Sequence, residues 1–379
     1  MENVIEKNWT QLAKTISKDF AKRAEVHDQH DTFVSENYMT LKENGFLSAM
    51  IPLEFGGAGI SHAEMCHIIR VIAQSCGATA LALSMHQHLL AATIWRARQG
   101  KGGEETLLKV AKNNLVLVST GAGDWLESTG NMEKVEGGYL VTAQKNFASQ
   151  SPVGDVLVTS ARYQHPEQGW QVLHFPVSFQ AKGLTVLDNW YTMGMRGTGS
   201  HTVQLDEVFV SDAAIILQRP AGQYHAVWNT VLVVAMPLIM SAYVGIAEKA
   251  AQIALEKVRN KGSKDALITS IIGEMNNELT LAQVMLKDMI AICNNFDFAA
   301  TDDNGHAILS RKTLVANACK KVVEKAMETI GGQSLFRNQG IERLFRDVQG
   351  APFHPLPEKP QWQLTGAFLL ESNYLFKSN

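Results

Sequence analysis

The chain has 379 residues, of which 46% are hydrophobic and 19% are charged, and its formal net charge at pH 7 is −3. This composition is typical of soluble globular proteins, and the length is sufficient for two or three structural regions around a shared core. The small net charge argues against a nucleic-acid partner and against a membrane-surface partner.

The first third of the chain predicts helices. Apolar residues recur at helical spacing from Trp9 to Phe20. The run SHAE at residues 61–64 is a capping box, which marks the start of a helix. A nearly all-apolar helix is predicted from Gly77 to about Arg98, because glycines at positions 100, 102 and 103 then interrupt the pattern.

The middle third changes to the two-residue period of β-strands. Its β-type runs are residues 115–119, 139–142, 156–160, 171–175, 184–187 and 202–210. In the last run, Val203 and Leu205 would face one side of a sheet, and Val208 and Val210 the same side after a small irregularity. We therefore predict a β-domain that covers residues 115–220.

The last third is helical again, with long periodic segments at residues 227–260, 265–296, 309–330 and 362–375. They predict a four-helix bundle within residues 221–379. The helices of the first third are predicted to form an N-terminal α-helical domain at residues 1–114. Residues 231–247 are mostly apolar, but they contain Pro237 and are shorter than the roughly 20 residues that span a bilayer. We expect a buried helix there and no membrane span. The predicted fold class is α+β, with helices on both sides of a β-domain.

The chain ends and the cysteines indicate the compartment. Glu2, Glu6 and Lys7 near the N-terminus do not fit a signal peptide. The four cysteines are scattered without the spacing of a metal site. We therefore expect a cytoplasmic protein with buried, reduced thiols.

Three glycine-rich segments occur in a defined order. IPLEFGGAG occupies residues 51–59, GMRGTGS at 194–200 leads into the last predicted strand, and IGGQS at 330–334 precedes ERLFRD at 342–347. These segments resemble the motifs P-x-x-[YF]-G-G-x-G, G-M-R-x-[ST]-x-[ST] and G-G-x-G … E-R-x-x-R-D of the acyl-CoA dehydrogenase superfamily of flavoproteins. The resemblance covers essentially the whole chain, and it is stronger evidence for the fold than for the reaction.

The resemblance implies that FAD, or alternatively FMN, binds between the β-domain and the C-terminal helices. The run VSTGAGD at 118–124 resembles x-T-E-P-x-A-G-S-D but is two residues shorter. The hydroxyls of Ser119 and Thr120 would face the carbonyl oxygens of the flavin ring. The run KNFAS resembles K-x-[WF]-I-[TS], so Phe147 would pack on the isoalloxazine and Ser149 would hydrogen-bond near N5. Alternatively, if the resemblance is set aside, this segment is an ordinary strand whose phenylalanine points inward.

The second flavin wall is also implied by the resemblance. Gly331 and Gly332 would touch the dinucleotide of a neighbouring subunit in a homotetramer or dimer. Arg259 roughly matches the arginine that meets the pyrophosphate. Glu328 stands where the family usually has glutamine, and a carboxylate beside a diphosphate argues against the usual mode of FAD binding.

Asp124 and His88 are predicted to contact the substrate. His86 and His88 are two residues apart on one helix, so they face different directions and do not form a metal pair. We expect at most one of them to line the cleft. Arg343, Arg346 and Asp347 are interpreted as members of ion pairs at a helix end, because this explanation is commoner than catalysis.

The glutamate that removes the substrate α-proton in the family is missing from both of its usual positions. Eight residues after the Arg-Asp pair of ERLFRD stands Pro355, and about ten residues before Gly245 stands Ala235. The run FHP, with His354 at its centre, resembles the branch that includes reduced-flavin monooxygenases. In that branch, a histidine near the flavin can carry a proton. Alternatively, His354 is only a turn residue before a proline.

Three functions follow from this pattern. The first is a flavin-dependent dehydrogenase, which oxidises an acyl thioester with an unrecognised catalytic base and passes the electrons to an electron-transfer flavoprotein. Alternatively, the chain is a two-component monooxygenase that takes reduced flavin from a flavin reductase and oxidises a small organic molecule. The third possibility is a flavin-binding protein without turnover.

Overall fold

The computed structural model describes residues 7–120, 124–262 and 265–371. Its N-terminal part is helical, with α1 (Trp9–Gln29), α2 (Ser35–Glu43), α3 (His62–Ala73), α4 (Gly77–Arg98) and α5 (Glu104–Asn113). The Ser61 side chain accepts a hydrogen bond of 3.1 Å from the backbone N–H of Glu64, which confirms the predicted capping box. Helix α4 begins and ends at the predicted residues and is buried along most of its length.

An eight-stranded mixed sheet follows the helices. Its strands are β1 (Leu117–Ser119), β2 (Asn131–Val135), β3 (Gly138–Ala148), β4 (Val156–His165), β5 (Gly169–Ser178), β6 (Leu184–Val186), β7 (His201–Ser211) and β8 (Leu217–Pro220). The strand order is β6-β7-β3-β2-β4-β5-β8, and β1 pairs with β4 in parallel. Each of the six predicted β-type runs overlaps a strand, whereas β2 and β8 are absent from the sequence prediction.

Strand β7 contains the irregularity that its sequence predicts. Leu205 lies opposite Ala143 of β3, and Val208 lies opposite Val141, so β7 has one residue more than its partner over this stretch. Glu207 has a left-handed φ of 50° at the resulting bulge. The extra residue keeps all four apolar side chains of the predicted stripe buried on one face.

The C-terminal part is helical and consists of α6 (Val227–Lys261), α7 (Ala266–Cys293), α8 (Asp302–Ile330), α9 (Ile341–Val348) and α10 (Glu358–Glu371). Helices α6, α7 and α8 pack together, α10 lies against α8, and α6 also contacts α3 and α4. In the described ranges, α6 is the one helix long and apolar enough to cross a membrane, but 94% of its most apolar window is buried in the protein. The order of helices, sheet and helices confirms the predicted fold class.

The GMRGTGS loop docks directly on helix α9. The backbone N–H of Met195 donates a hydrogen bond of 2.6 Å to Asp347 Oδ1, and Arg346 Nη1 donates one of 2.9 Å to the Met193 carbonyl. A Cβ on Gly194 would lie 2.2 Å from the Arg346 carbonyl oxygen, so a side chain does not fit there. The Arg346 guanidinium also pairs with Asp28 at 2.6 Å, which places this arginine in a structural ion pair.

Burial of Asp347 makes this contact depend on pH. Desolvation raises the pKa of Asp347 from its ordinary 3.8 to about 6, although the Met195 N–H opposes the shift. The folded protein therefore holds this proton more tightly than the unfolded chain, and stability falls as the pH rises from about 4 to about 6.

We predict that the Asp347→Asn substitution removes this titration. The free energy of unfolding of the parent, minus that of the variant, should decrease by ~3 kcal/mol as the pH rises from about 4 to about 7. Urea unfolding at a series of pH values measures the difference. A difference that stays constant with pH would show that Asp347 is ionised throughout this range.

Candidate active site

A cleft of about 590 Å³ lies between the sheet and helices α4 and α6, and the loop after α9 borders it. Its volume is within the range of small-molecule binding sites. Seven of the side chains that the sequence predicts for the site line this cleft together, namely His88, Ser119, Thr120, Asp124, Phe147, Ser149 and His354. They come from α4, from β1 and its following loop, from β3 and its end, and from the loop after α9.

The four residues predicted for the second flavin wall lie elsewhere. Arg259 is near the end of α6, and Glu328 is an exposed residue of α8 that pairs with Lys325 at 2.9 Å. Gly331 and Gly332 have open space around their Cα atoms. Of the described residues that line the cleft, none belongs to this group.

An aromatic and hydroxyl-rich wall stands at one side of the cleft. Phe147 is 60% exposed, and its ring lies 5.3 Å from Trp190 in an edge-to-face arrangement. Ser149 Oγ lies 2.8 Å from Ser200 Oγ, which in turn lies 2.7 Å from Thr198 Oγ1. A flat apolar ring beside a hydroxyl cluster fits a planar heterocycle that carries hydrogen-bonding atoms on its edges.

Asp124 is the centre of a buried polar network. Its Oδ1 accepts hydrogen bonds of 3.0 Å from Lys145 Nζ and from the Thr129 backbone N–H, and its Oδ2 accepts one from Thr120. Lys145 is fully buried, and desolvation lowers the pKa of its amine although the Asp124 carboxylate opposes the shift. Both oxygens of Asp124 therefore have protein donors, so the carboxylate organises the wall of the cleft.

A second polar cluster, formed by Arg219 and His174 at the cleft, is not predicted by the sequence. Arg219 of β8 is fully buried, and its Nε donates a hydrogen bond of 3.0 Å to His174 Nε2 on β5. Beside them, the rings of Trp125 and Trp228 stack at 4.6 Å with an interplanar angle of 8°. No local pattern in the sequence signals this group, because it depends on the pairing of β8 with β5.

His354 lies at the other side of the cleft in a hydrogen bond with a tyrosine. Its Nε2 is 2.7 Å from the hydroxyl of Tyr243 on α6. Desolvation, followed by the charge of Lys312, lowers the pKa of His354 to about 3, so the imidazole is neutral at pH 7. A neutral imidazole can accept a proton at one ring nitrogen and release one from the other.

The loop that carries His354 is held by a buried lysine. Lys312 of α8 donates hydrogen bonds of 3.0 Å and 2.9 Å to the carbonyls of Pro352 and Leu356, on either side of His354. Burial lowers the pKa of Lys312 to about 8. This contact fixes the loop through backbone atoms and places a cation behind the histidine.

The two positions at which the resemblance implies a catalytic glutamate both face the cleft. Ala235 of α6 and Pro355 are among its lining residues, and neither can transfer a proton. Among the described lining residues, Asp124 is the one carboxylate. His86 of α4, in contrast, is buried, and its ring nitrogens bond to the backbone of Leu47 and Leu117, so only His88 of this pair lines the cleft among the described residues.

Known proteins resemble this chain along most of its length. The amino sugar nitrososynthase DnmZ of Streptomyces peucetius is 25% identical, covering 87% of this chain and 84% of that protein. The cyclohex-1-ene-1-carbonyl-CoA dehydrogenase of Syntrophus aciditrophicus (strain SB) is 24% identical, covering 93% and 86%. These two relatives are thus a nitrososynthase and a dehydrogenase.

Solved structures share the fold. KijD3 in complex with FMN and dTDP-3-amino-2,3,6-trideoxy-4-keto-3-methyl-D-glucose superposes with a TM-score of 0.86 at 22% identity, covering 96% of this chain and 94% of that chain. TdsC from Paenibacillus sp. A11-2, in a complex with FMN and indole, gives a TM-score of 0.82 at 18% identity, covering 96% and 98%.

Family models test the resemblance directly. The model of the acyl-CoA dehydrogenase N-terminal domain matches residues 8–112, and that of the C-terminal domain matches residues 238–356. Together they cover more than half of the chain, and so the protein is a member of the acyl-CoA dehydrogenase family, as its three glycine-rich motifs predict.

Proposed function

We propose that this protein is the oxygenase of a two-component flavin-dependent monooxygenase, which oxidises a small organic substrate with reduced flavin from a separate reductase. The observation that carries the proposal is the neutral Tyr243–His354 pair in the cleft, beside Pro355 at the family position of a catalytic glutamate. Asp124, the remaining carboxylate among the described lining residues, is occupied by Lys145 and other donors. Among the described lining residues, the cleft thus has a group that can carry a proton but no free carboxylate for removing an α-proton.

The walls of the cleft fit a flavin ring. Phe147 would pack on the isoalloxazine, Ser149 would bond near N5, and Ser119 and Thr120 would meet the ring carbonyls. FMN is favoured over FAD, because the related structures named above hold FMN and because Glu328 is unsuited to a neighbouring diphosphate. When bound in its reduced form, the flavin supplies the electrons for oxygen activation.

Within this mechanism, the residues of the chain orient the substrate, exclude water and move a proton. The Tyr243 hydroxyl and His354 Nε2 share a hydrogen bond, so a proton can be relayed between them and the substrate. Lys312 holds the loop of His354 in place. His88 of α4 also lines the cleft and is available to contact the substrate.

A dehydrogenase that acts on an acyl thioester is the second candidate, and the similarity to a carbonyl-CoA dehydrogenase favours it. Such an enzyme would pass its electrons to an electron-transfer flavoprotein. It would need a base other than the residues at positions 235 and 355.

A second subunit would complete the flavin site. Gly331, Gly332 and Arg259 do not line the cleft of their own chain, so any contact with a flavin would be made across an interface of a homotetramer or dimer. Leu335 and Phe336, next to the glycines, are 73% and 64% exposed and provide apolar surface for that interface.

We predict little activity on straight-chain acyl-CoA with an artificial electron acceptor. The loss of a general base costs on the order of 10²- to 10⁴-fold in rate. Product formation from reduced FMN and oxygen, assayed with indole as a trial substrate, should in contrast be measurable. Rapid oxidation of butyryl-CoA or octanoyl-CoA would favour the dehydrogenase instead.

We predict that His354→Ala lowers oxygen-dependent product formation by about 10²-fold, since the proton carrier is removed. Tyr243→Phe, which deletes only the hydroxyl partner, should give a smaller loss in the same step. FMN affinity, measured by fluorescence titration, should stay nearly unchanged in both variants. If His354→Ala turns over at the parental rate, the histidine has no part in the reaction.

We predict that Gly332→Leu weakens flavin binding only in the assembled oligomer. The chain leaves open space around Gly332, so a leucine should not disturb the fold of one subunit. Light scattering and titration with FMN and with FAD on the same sample test this. Parental affinity for both flavins in a folded, oligomeric Gly332→Leu protein would remove this loop from the flavin site.

A further inference from the structure

The hydrogen bond with Arg219 determines which nitrogen of His174 carries the proton. A guanidinium group has only donors, so the bond of 3.0 Å from Arg219 Nε requires His174 Nε2 to be an unprotonated acceptor. The imidazole must then carry its proton on Nδ1. Arg219 cannot turn away easily, because its other nitrogens donate to the carbonyls of Leu126 at 2.7 Å and Asp124 at 3.0 Å.

The surroundings keep His174 neutral. Desolvation lowers its pKa to about 3, and the Arg219 cation adds to this shift. Of the other ionisable groups that act on the ring, His225 and Lys145 also disfavour a second proton, and only Asp124 favours one. The two cations outnumber the single carboxylate, so this end of the cleft favours a negative or strongly polar oxygen.

The Nδ1–H of His174 has no partner within the described part of the protein. Among the described residues, the side chain has a hydrogen bond from Arg219 and an edge-to-face ring contact with Trp228, and His174 lines the cleft. Trp228, which also lines the cleft, has a buried Nε1 without a hydrogen-bond partner among the described residues. Polar donors left in this state are costly unless a ligand or water satisfies them.

We propose that His174 is a ligand-recognition residue, whose Nδ1–H, polarised by Arg219, donates to an acceptor oxygen of a molecule bound in the cleft. This inference rests on the proposed function for the identity of the ligands. The oxygen is a ring carbonyl of the flavin or a carboxylate of the substrate. The stacked Trp125 and Trp228 offer a planar apolar surface beside it for an aromatic body.

The first test is the tautomer of His174, which does not require activity. Nitrogen NMR of protein with ¹⁵N-labelled histidine should show a neutral ring with its proton on Nδ1 at pH 7, assigned by its disappearance in His174→Gln. A ring with its proton on Nε2, or a doubly protonated ring, would overturn the proposal.

The second test is binding by the parent and by His174→Gln. The glutamine oxygen can still accept from Arg219, but no N–H remains at the Nδ1 position. His165→Gln, which changes a histidine of β4 outside the cleft, is the matched control. The probes are oxidised FMN and benzoate, the latter with and without saturating FMN.

A loss of about 10-fold in FMN affinity in His174→Gln identifies the flavin as the source of the oxygen, and the same loss for benzoate identifies a substrate carboxylate. Unchanged affinity for both probes overturns the proposal and leaves the flavin function intact. A parent that binds benzoate through His174 but does not bind FMN would contradict the proposed function while supporting this inference. A parent that binds neither probe would contradict both.

Discussion

The cleft exists because the loop at Gly194 and Met195 is joined to helix α9. One wall of the cleft comes from the sheet and the other from the helices, and the bond from Met195 N–H to Asp347 joins the two. Gly194 allows this because a side chain there would overlap the backbone of Arg346. The motifs GMRGTGS and ERLFRD thus form one contact, and this contact assembles the two walls of the cleft.

Buried cations behind the cleft have a common effect on its histidines. Arg219 lies behind His174, and Lys312 lies behind His354. In each pair, burial and the nearby positive charge disfavour a second proton on the ring. The cleft therefore presents neutral imidazoles, which can donate or accept hydrogen bonds without adding a charge of their own.

Much of the architecture could be predicted from local sequence patterns. The capping box at Ser61, the limits of α4 and the bulge in β7 each depend on residues close in sequence. The resemblance also selected residues such as Phe147 and His354, which the fold brings to one cleft from distant parts of the chain.

The features that the sequence does not predict depend on contacts between residues that are far apart in the chain. Strand β8 has four residues and ends in a proline, so its own sequence is a weak signal, yet it delivers Arg219 to His174 of β5. The engagement of Asp124 by Lys145 has the same origin, since the two residues meet only when β3 and the loop after β1 pack together. Arg259 and Gly332 belong to surfaces that one chain leaves open, and a single sequence does not show what covers them.

The way in which Lys312 holds the loop after α9 has an evolutionary consequence. The lysine donates hydrogen bonds to the backbone carbonyls of Pro352 and Leu356, and every amino acid has such a carbonyl. The path of the loop is therefore largely independent of the side chains between them. Mutations at positions 353 to 355 can exchange an acid, an imidazole or an inert group at the same point in space, so descendants of one ancestor can change chemistry here without rebuilding the scaffold.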